Sequence, residues 1–168
     1  MSKIAVLSDS HDNIPHLITA LEQVRQSGAD LLLHCGDLCS PFMMKHLGEG
    51  FTGGDIHIVM GNNDGDGRML EHIASGFDHV HLNGVYYEGD HHGRKFGMIH
   101  YPEPARRIAQ SGQFDLVCYG HNHLKAIEEI GGAFLVNPGE VFGLHEGAPS
   151  WVLYDCESHR CELKLIGG

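Results

Sequence analysis

Three short apolar runs, Lys3 to Ser8, Leu31 to His34 and Ile56 to Met60, alternate with two segments of helical period, and this order most narrows what the chain can become. Ile14 to Ser27 carries apolar residues at 14, 17, 18, 21 and 24, one stripe of an amphipathic helix. Asn13 suits its N-cap, Pro15 its first turn and Gly28 its end. Pro41 to Leu47 reads as a shorter helix. A β-α-β-α-β order predicts parallel strands joined by right-handed crossovers.

The second half is richer in strands. Val85 to Glu88 and Lys95 to His100 read as a hairpin turning through Gly89 to Gly93, followed by a helix over Pro102 to Gln110. Leu116 to Tyr119, Ala126 to Ile130, Ala133 to Val136, Ser150 to Asp155 and Cys161 to Leu165 are short strands, with a tight turn at Gly131-Gly132. So many strands with so few helices predict two sheets packed face to face, with helices outside. The chain shows no linker, repeat or low-complexity segment, and its 168 residues read as a single domain, 1–168.

Chemistry gathers just after the apolar runs, at Asp9-Ser10-His11, Gly36-Asp37, Gly61-Asn62-Asn63-Asp64, His100 and Gly120-His121-Asn122-His123. Strand ends are where open α/β sheets place their sites. If strand geometry persists, Asp9 and His11 point to the same side, as do His121 and His123. Gly36 lets the backbone turn sharply before Asp37, whose two carboxylate oxygens can bridge two ions. Asn62 adds a neutral oxygen, so two divalent ions would leave a positive centre that attracts phosphate and acidifies a bridging water.

Most of the 15 histidines have a blander reading. His16, His46, His57, His72, His79, His81, His91, His92, His145 and His159 are expected to be solvated or hydrogen-bonded, and His34 to lie beside the site, facing away from Cys35. His91-His92, at the hairpin tip, could chelate metal adventitiously.

The net charge of −11 argues against a broad nucleic-acid surface, although divalent ions can reverse the field locally for a small phosphate substrate. No run of 18 apolar residues is present to span a membrane. Met1-Ser2-Lys3-Ile4 passes straight into a strand, which predicts no signal peptide and a cytoplasmic protein. The five cysteines agree: Cys35 and Cys118 read as core residues, Cys39 has no CxxC partner, and Cys156 and Cys161 could face each other across a hairpin as thiols. Oligomeric state is not legible.

As a set, the motifs Asp-x-His, Gly-Asp, Gly-Asn-x-Asp, His and Gly-His-x-His resemble those of the calcineurin-like metallophosphoesterases. Gly61-Asn62-Asn63-Asp64-Gly65 and Asn137-Pro138-Gly139-Glu140 are similar to the small prokaryotic phosphodiesterase branch. The resemblance runs from Ile4 to about Asp155. It implies an α/β (α+β) fold, a four-layer αββα sandwich of two mixed β-sheets flanked by helices. It also implies two divalent transition-metal ions, manganese first, with nickel, iron, zinc or cobalt as alternatives. Asp9, His11, Asp37 and His123 would hold one ion, and Asp37, Asn62, His100 and His121 the other. Asp64 would orient a ligand or a nearby loop.

The expected activity is hydrolysis of small phosphodiesters, cyclic nucleotides among the candidates, by in-line attack of a metal-bridged hydroxide. Asn62 would also stabilise phosphoryl charge, and with Asp64 forms the catalytic set; no protein nucleophile is required. Phosphatases of the superfamily often have His where this chain has Asn63, and that departure favours diesters or activated leaving groups. A second departure is the Tyr101-Pro102-Glu103-Pro104 segment after His100, where many relatives have Gly; it would reshape the substrate mouth. Arg68, Arg106 and Arg107 are candidate phosphate-binding cations. The alternatives are a phosphomonoesterase of small phosphates and a non-catalytic scaffold of the retromer type.

Overall fold

The structure, a computed structural model, describes residues 2–167. The first half forms β1 (Lys3–Leu7), α1 (Ile14–Ser27), β2 (Leu31–His34), α2 (Phe42–Gly50), β3 (Asp55–Ile58), α3 (Gly67–Ala74) and β4 (Val80–Leu82). Then come β5 (Tyr86–His91), β6 (Arg94–Ile99), α4 (Pro102–Gln110), β7 (Leu116–Cys118), β8 (Ala126–Ile130), β9 (Ala133–Asn137), β10 (Ser150–Asp155) and β11 (Arg160–Leu165).

The strands make two mixed sheets. A six-stranded sheet has the order β11-β10-β1-β2-β3-β4, and a five-stranded sheet the order β5-β6-β7-β9-β8. β1 to β4 are parallel neighbours, and so are β6, β7 and β9; the antiparallel strands lie outside these parallel blocks. Alternation along the strands explains the layering. Ile4, Val6, Leu31 and Leu33 face inward and meet Phe96, Met98, Leu116, Cys118 and Val136 of the second sheet. Ala5, Leu7, Leu32, Ile56 and Ile58 face outward against Leu17, Leu21, Val24, Met43, Leu47 and Leu70 of α1, α2 and α3. On the far side, Val117 and Leu135 pack against Ala105 and Ala109 of α4. Three apolar seams therefore separate four layers, helices, sheet, sheet and helix, as the resemblance implies.

Local signals act where expected in α1. The Asn13 side chain accepts a hydrogen bond from the His16 amide at 3.2 Å, and Gly28 ends the helix at φ 75°. α2 runs beyond Leu47 to Gly50, because Met43, Met44 and Leu47 bury one face and Gly48 lets the Phe77 ring lie against its backbone. Neither α3 nor β4 is predicted from the sequence. α3 has eight residues and buries Leu70 and Ala74, while β4 has three; both are too short to show a period.

Two other expectations change. The β5–β6 turn is His92-Gly93 alone, at φ 50° and 78°, so β5 continues through Gly89 to His91. Cys161 stands opposite Tyr154 in the β10–β11 ladder, whereas Cys156 lies beyond the ladder, and both are free thiols. No helix among the described residues is long and apolar enough to cross a membrane.

Candidate metal centre

All seven metal-type side chains follow the carboxyl ends of parallel strands: Asp9 and His11 after β1, Asp37 after β2, Asn62 after β3, His100 after β6, His121 and His123 after β7. The fold gathers them at one end of the sheet pair. Loops from both sheets are hydrogen-bonded together there, Asp9 N to Gly36 O at 3.0 Å, Gly120 N to His100 O at 3.0 Å and Phe142 N to Asp9 O at 3.0 Å.

The side chains form one continuous set. His11 Nε2 lies 3.3 Å from His123 Nε2, 3.6 Å from Asp9 Oδ1 and 3.6 Å from Asp37 Oδ2. His123 Nε2 is 3.4 Å from Asp9 Oδ1. Across the site, His100 Nε2 is 3.4 Å from Asp37 Oδ2 and 3.1 Å from Asn62 Oδ1, and His121 Nδ1 is 2.8 Å from the same Asn62 oxygen. Asp37 Oδ2 thus stands between the His11 half and the His100 half. Two ligands about 2.1 Å from one ion are separated by roughly 3.0–3.4 Å, close to these spacings.

His121 and His123 do not act from one side as strand geometry would have it: His123 joins His11 and Asp9, His121 joins Asn62. The strands have ended. Asp9, His11, Asp37, His121 and His123 have φ of 52°, 40°, 59°, 72° and 62°, the left-handed region, so tight turns aim them. Gly120 permits the close approach of the β7 loop, since a Cβ there would meet Ser8 Oγ at 2.0 Å and Asp9 Oδ2 at 2.4 Å.

A supporting set of hydrogen bonds fixes these groups. His100 Nδ1 donates to Cys35 O at 2.7 Å, leaving Nε2 free toward the site. Glu140 accepts from His123 Nδ1 with one oxygen, and from the amides of His145 and Glu146, at 3.0 and 2.8 Å, with the other. Asn137 donates to Gly120 O at 3.2 Å and Asn122 Oδ1 at 2.7 Å, bracing the β7 loop. Asn63 donates to both oxygens of Asp37, from its amide and from its side chain, each at 2.8 Å. Glu140 and Asn137 were not among the site residues expected from the sequence, and Asn63 was read only through its effect on the leaving group and not as a donor to Asp37; the motifs Asn137-Pro138-Gly139-Glu140 and Gly61-Asn62-Asn63-Asp64 were the available signal.

The electrostatics call for a cation. Asp9, Asp37 and Glu140 are buried, yet the ion pairs made by Lys and Arg among the described residues lie elsewhere, at Lys45–Glu49, Arg94–Asp115, Arg106–Glu128 and Lys164–Glu162. Buried carboxylates are paired or coordinate metal. Asp9 Oδ1 is buried and has no hydrogen-bond partner among the described residues, a vacant acceptor aimed at His11 and His123. Burial raises the Asp37 carboxyl, but hydrogen bonds from His100 and Asn63 prevail and hold it well below the usual carboxylate range. Interaction with Asp9 raises the His11 imidazole against the opposing effect of burial. Oxygen and imidazole donors of this kind suit a divalent ion.

Arg106 is not at the centre, because both oxygens of Glu128 engage it at 2.8 Å. Arg107 lines a groove with Tyr86 and Glu88, and Arg68 a cleft with Asp66 and His72. Tyr101 does border the site, its ring 5.0 Å from that of His121 and 5.2 Å from that of His100. His145, read as solvated, is exposed but lies with its ring 5.0 Å from that of His123.

Residues 2–159 match the model of the calcineurin-like phosphoesterase superfamily domain. The chain belongs to this superfamily. Among its relatives is phosphodiesterase MJ0936 of Methanocaldococcus jannaschii, 29% identical over 157 residues that cover 92% of this chain and 93% of the relative. Phosphodiesterase YfcE of Escherichia coli K12 is 31% identical over 155 residues, covering 84% and 80%. A solved structure described as a novel archaeal phosphodiesterase superposes with a TM-score of 0.89 at 28% identity, covering 98% of this chain and 99% of that one. Membership implies divalent metal ions, and the cluster described above is the candidate place for them.

Proposed function

We propose that this phosphoesterase hydrolyses small phosphodiesters, with Asp9, His11, Asp37 and His123 holding one divalent ion and Asp37, Asn62, His100 and His121 the other. The whole chain, 1–168, would act as one domain. The observation that carries the reading is the Asp9 Oδ1 oxygen, which among the described residues has no hydrogen-bond partner and lies among three buried carboxylates that no Lys ammonium or Arg guanidinium accompanies. Ions bound there would supply Lewis acidity toward phosphoryl oxygens and make a water more acidic.

The chain's own residues do the rest. Asn62 and His121 are exposed at the mouth, where they can orient the phosphoryl group, and Tyr101 narrows the approach beside them. Asp64 keeps the Asp37 and Asn62 turns in register. Attack by water, not by the protein, is supported by the poor nucleophiles nearby: Ser8 and Ser10 are fully buried, and the Cys39 thiol is pushed up to about 12 by burial and the surrounding carboxylates. At position 63 an amide, engaged with Asp37, stands where an imidazole acid would serve a poor leaving group, which favours diesters and activated esters.

The donor set suits manganese first, with nickel, iron, zinc or cobalt as alternatives. Five free thiols fit a reducing compartment, in keeping with a cytoplasmic enzyme, and the charge of −11 disfavours long nucleic acids as substrates. The test compares bis-p-nitrophenyl phosphate with p-nitrophenyl phosphate, each divalent metal supplied singly, for wild type, Asp37→Asn and His121→Ala. Metal-dependent turnover that prefers the diester and collapses in both folded variants is expected. Turnover that survives both changes, or a preference for the monoester, overturns the reading.

A further inference from the structure

We infer that Asp30, His91 and His92 form a separate site for a borderline divalent cation of the zinc, nickel or copper class, at the opposite end of the sheets from the phosphoesterase centre. Asp30 immediately precedes β2, whose other end leads to Asp37. His91 ends β5 and His92 opens the hairpin turn, while β6 then runs back to His100. Six residues of strand separate Arg94 from His100, about 20 Å at ~3.3 Å per residue. No side chain is shared between the two sites.

The three donors converge as ligands do. Asp30 Oδ1 is 2.9 Å from His91 Nε2, Asp30 Oδ2 is 3.4 Å from His92 Nε2, and the ligand atoms all lie within 4.8 Å of one another. Ligands about 2.1 Å from a shared ion stand roughly 3.0–3.4 Å apart, so a small shift seats the ion. The two imidazole rings meet edge to face, at 88°, with centroids 4.6 Å apart, so each Nε2 is presented from a different direction. Two imidazoles and a carboxylate with room for water are a donor set for zinc, nickel or copper and a poor one for magnesium.

The carboxylate is held ready. The Lys3 amide donates to Asp30 Oδ1 at 2.8 Å, while the Lys3 ammonium is occupied with Ser27 O at 3.0 Å. Oδ2 faces His92 Nε2 across 3.4 Å, on the side where an ion would sit. Burial raises this carboxyl, yet the His91 and Lys3 bonds outweigh it and keep it below the usual range. Asp30 belongs to the six-stranded sheet's end and the histidines to the five-stranded sheet's edge hairpin, so an ion here would tie one sheet to the other.

The test counts zinc bound per chain, using a chromophoric chelator as competitor, in wild type and in the double variant His91→Ala/His92→Asn, with diester hydrolysis recorded on the same samples. Asn at position 92 keeps the hairpin foldable, since Asn-Gly is the pair best suited to two successive positive φ values. One zinc fewer per chain with unchanged turnover is expected, together with loss of about 5–10 °C of the zinc-induced rise in Tm at saturating zinc. Asp30→Asn, which keeps an acceptor for the Lys3 amide, removes the only charged ligand and should raise the zinc concentration needed to fill the same site. An unchanged zinc count in both variants, or an ion lost only together with turnover, overturns the inference.

Discussion

The Asp64 carboxylate holds the Asp37 turn by its backbone: Oδ2 accepts from Asp37 N at 2.9 Å and from Gly61 N at 2.7 Å, and Oδ1 accepts from Cys39 N at 2.9 Å. One side chain thus ties the loops after β2 and β3, each of which delivers metal-type donors. Hydrogen bonds to a charged acceptor contribute roughly 1.5–3 kcal/mol each, so Asp64→Ala, which leaves three amides unpartnered, should destabilise the fold by at least about 2 kcal/mol. Asp64→Asn keeps the shape but points an amide at one of those donors. It should lower diester turnover more than ten-fold while the chain stays folded. Urea denaturation and steady-state kinetics on both variants check this; full activity in Asp64→Asn would show that the turn holds itself.

Glu140 stands in the same relation to His123. Its carboxylate accepts from Nδ1 and so directs Nε2 toward Asp9 Oδ1, 3.4 Å away. Burial raises the Glu140 carboxyl, but the Glu146 amide, His123 and the His145 amide together hold it below the usual range. Glu140→Gln should weaken binding of one ion by roughly 10–100-fold, the range typical of such supporting groups. Activity measured against manganese concentration should shift to higher metal and recover at saturation. A lower plateau with no shift would place Glu140 in the chemistry itself.

His34 gives the fold an acid limit. It is fully buried, accepts a hydrogen bond from Gly36 N at Nδ1 and reaches Ser10 Oγ with Nε2 at 3.2 Å, an arrangement for the neutral ring. Burial is the main cause that lowers its pKa from 6.5 to about 4, against the pull of Asp64 and Asp9. A depressed pKa means the unfolded chain binds the proton first. Stability from this group is complete above pH 6.5 and is lost as pH falls toward about 4, a total of about 3 kcal/mol. Urea denaturation across that window, in metal-free buffer, should show a steeper decline for wild type than for His34→Gln. Equal slopes would assign the acid sensitivity to other groups.

How much was legible follows from what each signal encodes. The unbroken apolar runs of Lys3–Leu7 and Leu31–His34 call for strands buried on both faces, so a sheet covered by helices on one side and by a second sheet on the other can be read directly. Asp9 and His11 were readable as donors because each residue type carries its chemistry wherever it points. Their convergence was expected from strand geometry and in fact comes from left-handed turns, which no periodicity announces. Glu140 could be read as part of the Asn137-Pro138-Gly139-Glu140 motif but not as the partner of His123, because it reaches that ring across 17 residues, a tertiary contact with no local spacing. The two-residue turn at His92-Gly93 was misplaced because Gly89 looks like a turn residue, although inside β5 its missing side chain makes room for the Phe96 ring.

Asn63 bears on substrate choice. Its side chain donates to Asp37 Oδ2, the oxygen that also lies 3.6 Å from His11 and 3.4 Å from His100, so it shares the central carboxylate instead of offering a proton to a leaving group. Asn63→His keeps the backbone bond to Asp37 Oδ1 and introduces an imidazole at an exposed position. General acid catalysis is typically worth 10²–10⁴-fold where a leaving group needs a proton, and far less where it departs readily as an anion. The variant should therefore gain on monoesters with unactivated alkyl leaving groups, by roughly ten-fold or more, while bis-p-nitrophenyl phosphate hydrolysis stays level or falls as Asp37 loses one donor. Comparing kcat/KM for an alkyl monoester and an aryl diester separates these effects. A uniform loss on both substrates would mean that Asn63 serves as a clamp on Asp37 and has no part in selecting the leaving group.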